Sequence, residues 1–240
     1  SFSECKNLNT IVFGPSVTTI EQFCLQNLNF ITNFIIPSYV TSIKNNAFIK
    51  CPNFNEIEID PYLTKIDPDS ILGCNFTNLT LGKTVTNIKN FDINLFGNIT
   101  QITIPNTVIS IESKAFYKCK SLKKIIFQTN ENLPALSIGD YSFVECSSLE
   151  EITIQKINNF SRISSFFNKV ELPSSITTIG KGSFENCASI KRLIIPSSVK
   201  LIDTDAFNGC TNLSEITIDP YITQINQNAF SNCTSLNSFY

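Results

Sequence analysis

Hydrophobic and polar positions follow one another along this chain in a pattern that repeats about every 23 residues. The unit is L-x-x-I-x-I-P-x-x-V-T-x-I-x-x-x-A/S-F-x-x-C-x-x, and its clearest copies begin at Ile31, Ile99, Ile190 and Leu213. The I-x-I stretch alternates with a period of two, which predicts a short strand whose two branched side chains face inward. The V-T-x-I stretch predicts a second short strand.

A proline and a Phe-Cys segment separate these strands. Proline follows the first strand at positions 37, 105, 173 and 196 and is expected to end it, because proline lacks a ladder donor. The A/S-F-x-x-C-x-x-L segment places apolar residues at spacings of three. This spacing predicts one tight helical turn with Phe and Cys directed inward.

One unit is too small to bury its own apolar face, but units stacked at the strand spacing of about 4.8 Å share a continuous core. We therefore predict a mainly β, α/β-repeat solenoid of about ten units over residues 1–240. Extra residues predict an insertion loop at 128–137, and a degenerate short repeat falls at 155–169. Both ends lie inside a unit without a polar cap, so we expect a slice of a longer array or covered ends, and end-to-end self-association stays open.

Composition narrows the classes of function. The formal net charge is −2 and 16 % of residues are charged, so no electrostatic argument favours nucleic acid as a partner. No apolar run approaches the roughly 18 to 20 residues that span a bilayer, so membrane insertion by this segment is not expected. The chain has no histidine, which excludes Ser-His-Asp, Cys-His and His-metal sites. We predict neither an enzyme nor a cofactor site.

Eight of the nine cysteines share one slot of the unit. They are Cys5, Cys51, Cys74, Cys119, Cys146, Cys187, Cys210 and Cys233. Thiolates stacked in a line cannot surround a tetrahedral zinc ion, and Leu28 and Phe96 fill the same slot elsewhere. We favour buried free cysteines that act as small hydrophobic side chains. Disulfides between adjacent units, such as Cys51/Cys74, are the alternative, because neighbouring rungs bring Cα atoms to about 5 Å.

The unit resembles the BspA-type leucine-rich repeat over essentially the whole chain. The resemblance implies a leucine-rich-repeat horseshoe with its strands on one curved face. It also implies a surface or secreted protein of a host-associated bacterium or protozoan parasite that binds host extracellular matrix, host cells or other microbes. The 28 asparagines and 8 glycines favour a protozoan source. The family offers no catalytic residues to transfer.

Candidate binding residues lie on the solvent-facing side of the first strand and at the proline corner. The set comprises Tyr39, Tyr62, Lys124, Glu151, Lys169, Arg192 and Glu215. The aromatic-rich segment 160–167 is a third candidate. Each has a structural alternative: cross-strand charge pairing, packing over the corner, or a degenerate repeat. We predict a protein-binding module of a cell-surface adhesin, with an intracellular scaffold as the alternative.

Overall fold

The computed structural model describes residues 2, 5–59, 65–66, 74–88, 98–129, 135–156 and 169–240. Within these ranges, the side chains of residues 65, 66, 129, 155, 156 and 169 are not described. The chain forms two compact units, Ser1–Val85 with Asn94–Ile99 (unit 1) and Thr86–Ile93 with Thr100–Tyr240 (unit 2). Each unit is a parallel β-solenoid in its described residues, which confirms the predicted fold class.

Unit 1 contains two rows of parallel strands. Its described strands are β1 Thr19–Ile20, β2 Asn33–Ile35, β3 Ser42–Ile43, β4 Glu56–Ile59, β5 Lys65–Ile66 and β6 Asn78–Leu81. One row has the order β1-β3-β5 and the other β2-β4-β6. The row β2-β4-β6 derives from the I-x-I stretches and the row β1-β3-β5 from the V-T-x-I stretches, so the coil that contains β2 and β3 contributes one strand to each row.

Unit 2 also contains two rows of parallel strands. Its described strands are β7 Asn87–Ile88, β8 Gln101–Ile104, β9 Ser110–Ile111, β10 Lys124–Thr129, β11 Leu136–Ile138, β12 Glu151–Lys156, β13 Lys169–Glu171, β14 Ile176–Ile179, β15 Arg192–Ile195, β16 Leu201–Ile202, β17 Glu215–Ile218, β18 Gln224–Ile225 and β19 Ser238–Phe239. The first-strand row, called the sheet face below, runs β8-β10-β12-β13-β15-β17-β19. The second row runs β7-β9-β11-β14-β16-β18.

Side-chain alternation along the strands follows the predicted period of two. In β8, Ile102 and Ile104 are buried, whereas Gln101 is half-buried and directed outward. The proline corner also follows the prediction, since the Val108 N–H donates to the Pro105 carbonyl and closes a turn directly after the strand. The core of each coil therefore lies between its two strands and its Phe-Cys segment.

The Phe-Cys segments form hydrogen-bonded turns, and the described residues contain no helix, so the predicted helical turn is not confirmed. In each segment that the structure describes in full, two residues four positions apart have positive φ values, which interrupts a right-handed helix. In one coil they are Lys114 and Lys118, both at 60°. The Phe116 N–H between them donates to the Ser142 carbonyl of the next coil. The segments thus form a third hydrogen-bonded ladder between coils.

This third ladder explains some of the asparagines of the repeat. Fourteen described residues have positive φ values, and eight of them are Asn, Asp or Gly, which tolerate the left-handed conformation. The eight are Asn27, Asn46, Gly182, Asn186, Asp205, Gly209, Asn228 and Asn232. The polar residues of the unit are therefore selected partly by backbone conformation.

A column of stacked phenylalanines runs through unit 2. The rings of Phe116, Phe143, Phe184 and Phe207 are fully buried. Successive ring centroids lie 4.8 to 5.3 Å apart, and their planes are within 12° of parallel, through to Phe230. The ring spacing follows the strand spacing, because each coil contributes one ring. Offset aromatic stacking adds to the area that each ring buries.

Several predictions of domain organisation lie partly outside the described residues. Residues 130–134 of the 128–137 insertion and residues 157–168 of the 155–169 degenerate repeat are not described. On either side of the latter, Ile152 pairs directly with Val170, so β12 and β13 are neighbouring rungs. The single solenoid over residues 1–240 and the number of about ten units stay predictions.

Replacing Phe184 should test the aromatic column. We expect Phe184→Ala to lower the free energy of unfolding by about 3–5 kcal/mol, because it leaves a cavity between two stacked rings. Phe184→Leu should cost clearly less, since Leu25 occupies the equivalent slot in unit 1. Urea unfolding followed by circular dichroism measures both variants. Equal losses for Ala and Leu would contradict a packing role for the ring.

Candidate protein-binding surface

The first residues of the strands of the sheet face in unit 2 form one row. Parallel pairing places the first residue of each strand beside the first residue of the next, and between β12 and β13 the pairing of Ile152 with Val170 sets this register. The row contains Gln101, Lys124, Glu151, Lys169, Arg192, Glu215 and Ser238. The structure therefore brings five of the predicted binding residues into one line, although the Lys169 side chain is not described.

Charges along this row pair across neighbouring strands. The Lys124 Nζ donates to Glu151 Oε1 at 3.0 Å, and both side chains are largely covered. Arg192 Nε lies 3.3 Å from Glu215 Oε2, with the arginine side chain 60 % exposed. An exposed pair such as Arg192 and Glu215 stabilises a protein by only about 0–1 kcal/mol. The exposed arginine side chain is accessible to a ligand that can pair with a guanidinium.

A second outward row lies two residues further along each strand. In unit 2 it includes Ile126, Thr153 and Ile194, all partly exposed. In unit 1 the corresponding Ile35 is 65 % exposed, and Thr80 donates its hydroxyl to Glu56 Oε1 at 2.9 Å. The sheet face therefore mixes branched apolar, hydroxyl and charged side chains, a composition compatible with a protein interface.

The predicted tyrosines have different environments. The Tyr39 hydroxyl donates to the Phe13 carbonyl at 2.6 Å and its ring is half-buried, so it packs over the corner. Tyr62 lies outside the described residues. Tyr221, at the equivalent corner of unit 2, is 69 % exposed, with Lys200 Nζ 5.6 Å from its ring centroid. The segment 160–167 also falls outside the described residues.

Pattern analysis missed a polar cluster on the turn side of unit 2. Lys118 Nζ lies 4.9 Å from the ring centroid of Tyr117 and 3.6 Å from Glu145 Oε1. The hydrogen bond to Tyr117 and the charge of Glu145 raise the pKa of Lys118. No signal in the repeat could reveal this cluster, because its residues occupy variable positions of the unit.

The cysteine ladder has a hydrogen-bonding role that the sequence did not indicate. All nine cysteines are free, and six of the eight slot residues are buried, while Cys74 is half-buried and Cys5 exposed. Thiols of six ladder cysteines donate to main-chain carbonyls of the preceding coil at 2.7 to 3.4 Å. The donors are Cys51, Cys74, Cys146, Cys187, Cys210 and Cys233, and the acceptors are Leu25, Phe48, Phe116, Phe143, Phe184 and Phe207. Leu25 occupies the phenylalanine slot of its coil.

Burial makes the thiols of Cys146, Cys187 and Cys210 poor nucleophiles, whereas a hydrogen bond with the Cys74 thiol lowers the pKa of Cys51. Desolvation raises the pKa of Cys187 and of Cys210 well above the usual range for a thiol. The pKa of Cys146 is raised mainly by a hydrogen bond with the Cys119 thiol and, to a smaller extent, by burial. Because the thiolate is the reactive form, these thiols stay protonated and unreactive near neutral pH. Among the described residues no group of three or more His, Cys, Asp or Glu side chains is placed to hold a metal ion.

Comparison with known proteins identifies the family. The family described as BspA type Leucine rich repeat region matches residues 1–97, 94–169 and 138–240, in six copies. This chain belongs to the BspA-type leucine-rich repeat family. A BspA-type chain is consistent with a protein-binding scaffold. No curated protein matches the chain.

Solved structures of leucine-rich repeat proteins resemble this BspA-type chain. A leucine rich cell surface protein from Faecalibacterium prausnitzii A2-165 is 25 % identical with a TM-score of 0.48, over 99 % of this chain and 61 % of that one. The T. pallidum leucine rich repeat protein is 21 % identical with a TM-score of 0.53, over 86 % and 78 % of the two chains. The second similarity supports the fold. The chain spans 61 % of the length of the Faecalibacterium protein.

The rate of thiol alkylation should distinguish exposed from buried cysteines. At pH 8 and low protein concentration, we expect Cys5 to react rapidly, because it is exposed. Cys187 and Cys210 should react only after unfolding, since their raised pKa and burial withhold the thiolate. Peptide mass spectrometry of native and urea-unfolded samples measures the rates. Reaction of native Cys187 as fast as Cys5 would show that the ladder is open to solvent.

Proposed function

We propose that this chain is a non-catalytic protein-binding module of a cell-surface adhesin, and that the sheet face of unit 2 contacts the partner. The observation that supports it best is the row through Lys124, Glu151, Arg192 and Glu215, whose side chains are held in line by parallel strands and by ion pairs. A rigid row of this kind presents polar contacts to a partner at little cost in side-chain entropy.

The class of partner is a host extracellular-matrix protein, a host-cell protein or a microbial surface protein. The family match supports protein binding, and the Faecalibacterium relative is described as a cell surface protein. No helix in the described part of the chain is long and apolar enough to cross a membrane. Within the row, Arg192 is the strongest candidate anchor, because arginine is enriched among residues that dominate binding energy.

Charge reversal on the sheet face should weaken binding to a panel of purified extracellular-matrix proteins. We expect Arg192→Glu to reduce affinity for the bound matrix protein by about tenfold or more, because it removes the anchor and places two acidic residues side by side. Lys120→Glu is the matched control, since Lys120 is exposed on the turn side of unit 2. Surface plasmon resonance measures both, and equal loss in the two variants would contradict a sheet-face site.

Localisation of the native full-length protein tests the adhesin role separately. We expect antibody labelling of intact cells, without an increase on permeabilisation, because an adhesin must face the outside. Antibody against a cytoplasmic protein serves as the permeability control. Labelling that appears only after permeabilisation would contradict the adhesin role and favour an intracellular scaffold.

A further inference from the structure

Two cysteines of unit 1 occupy the same slot of successive coils. They are Cys51 and Cys74, and the strands that follow them, β4 and β6, pair directly. The repeat assigns this slot to Leu28 in the preceding coil and to Phe96 in the following one. Within the ladder of unit 1, the sequence therefore gives each of these two cysteines only the other as a cysteine neighbour.

The two thiols have the same orientation. The Cys51 thiol donates to the Leu25 carbonyl at 3.0 Å and the Cys74 thiol to the Phe48 carbonyl at 2.7 Å, each 26 residues earlier in the chain. A hydrogen bond also joins the two thiols. A rung spacing of about 4.8 Å lies within the roughly 4.4–6.8 Å between Cα atoms that a disulfide permits. The two sulfurs can therefore bond after a small movement of the coils.

The two sulfurs differ in their access to solvent. Cys51 is fully buried, whereas Cys74 is half-buried. The hydrogen bond between the thiols lowers the pKa of Cys51 and raises the pKa of Cys74. Once the pair has lost one proton, it consists of a thiolate that is hydrogen-bonded by the remaining thiol. The arrangement thus combines a sulfur that a small molecule can reach with a buried sulfur placed to react next.

We propose that Cys74 and Cys51 form a thiol–disulfide exchange site that takes low-molecular-weight disulfides and closes into a reversible Cys51–Cys74 disulfide. Transfer of the shared proton to Cys51 leaves a Cys74 thiolate, which attacks one sulfur of the small disulfide and expels a thiolate. That thiolate takes the proton from Cys51. The Cys51 thiolate then attacks the Cys74 sulfur and expels the second small thiolate, which is protonated by solvent.

This sequence of steps balances without a further reactant. Two cysteine thiols are oxidised to one disulfide, and one small disulfide is reduced to two small thiols. The lowered pKa of Cys51 favours the second attack, because the thiolate is the nucleophile. The site does not rest on the binding role proposed for the sheet face.

A second pair of cysteines serves as an internal comparison. Cys119 and Cys146 precede the paired strands β10 and β12, and their thiols are also joined by a hydrogen bond. They are only 5 % and 0 % exposed, so a small disulfide cannot approach either sulfur in the folded protein. We therefore expect this pair to stay reduced under conditions that oxidise Cys51 and Cys74.

The Cys51–Cys74 disulfide should be easy to reduce. Closing it draws parallel side chains from a rung spacing of about 4.8 Å towards the roughly 3.8 Å between Cβ atoms of a relaxed disulfide. It also removes the thiol hydrogen bonds to the carbonyls of Leu25 and Phe48. Both changes oppose oxidation, and strained disulfides are the more readily reduced ones. The pair is therefore suited to reversible exchange.

Exposure of the folded chain to glutathione disulfide tests the site. After reaction at pH 8 and low protein concentration, acid quenching and peptic digestion preserve the sulfur states for mass spectrometry. We expect a Cys51–Cys74 cross-linked peptide, a glutathione adduct on the exposed Cys5, and thiols at Cys119 and Cys146. An adduct on Cys5 without the Cys51–Cys74 link would overturn the proposal. Equally fast oxidation of Cys119 and Cys146 would also overturn it, because access would then not select the pair.

Single substitutions test the order of exchange. Cys51→Ser should leave Cys74 in a lasting mixed disulfide with glutathione, because no neighbouring thiol remains to displace it. Cys74→Ser should slow glutathione addition in this pair about tenfold or more, because the remaining sulfur is buried. Equal rates in the two variants would overturn entry through Cys74. If Cys51→Ser fails to fold by circular dichroism, Cys51→Ala replaces it, since Leu28 shows that the slot accepts an apolar side chain.

Reduction of the oxidised protein tests reversibility. Excess reduced glutathione should restore both thiols of the Cys51–Cys74 pair while circular dichroism shows that the chain stays folded. A link that is reduced only after unfolding in urea would contradict reversible exchange and indicate a permanent cross-link.

Discussion

Hydrogen bonding between successive coils is the constraint on which the rest of each unit depends. Two rows of strands and the ladder of turns all direct backbone donors and acceptors along the stacking direction. Because buried backbone groups need partners, each coil has to keep the register of its neighbours. The same register places the ring centroids of Phe143 and Phe184 5.1 Å apart and aligns the side chains of the core.

The turn ladder explains the most distinctive residues of the unit. Its left-handed positions favour asparagine and glycine, and this preference accounts for the asparagines and glycines found there. Its carbonyls also explain why cysteine recurs. The Phe184 carbonyl accepts from the Cys187 N–H and from the Cys210 thiol of the next coil, so the thiol adds a second hydrogen bond that an aliphatic side chain could not supply.

The outward positions can vary without affecting the stacking of coils. Similar solenoids can therefore differ in function at these positions. Core slots are fixed by stacking, but Lys124 and Arg192 occupy positions that the fold does not restrict. Their alignment with Glu151 and Glu215 results from strand register, so one substitution changes the surface without disturbing the core. The Phe-Cys segments contribute a different surface, with the Tyr117 and Lys118 cluster on the turn side.

The sequence determined the repeat, the parallel strands, the inward residues and the order of the row from Gln101 to Glu215, because all of these follow from local periodicity. It also identified the family, since the same slots recur over the whole chain. Tertiary structure alone decided that the Phe-Cys segment forms a ladder of turns, because alternate N–H groups, such as those of Phe116 and Lys118, donate to the next coil while Tyr117 and Cys119 donate within their own segment. Likewise, the partners of the Cys210 thiol and the Tyr39 hydroxyl lie 26 residues away, and no local pattern specifies contacts at that distance.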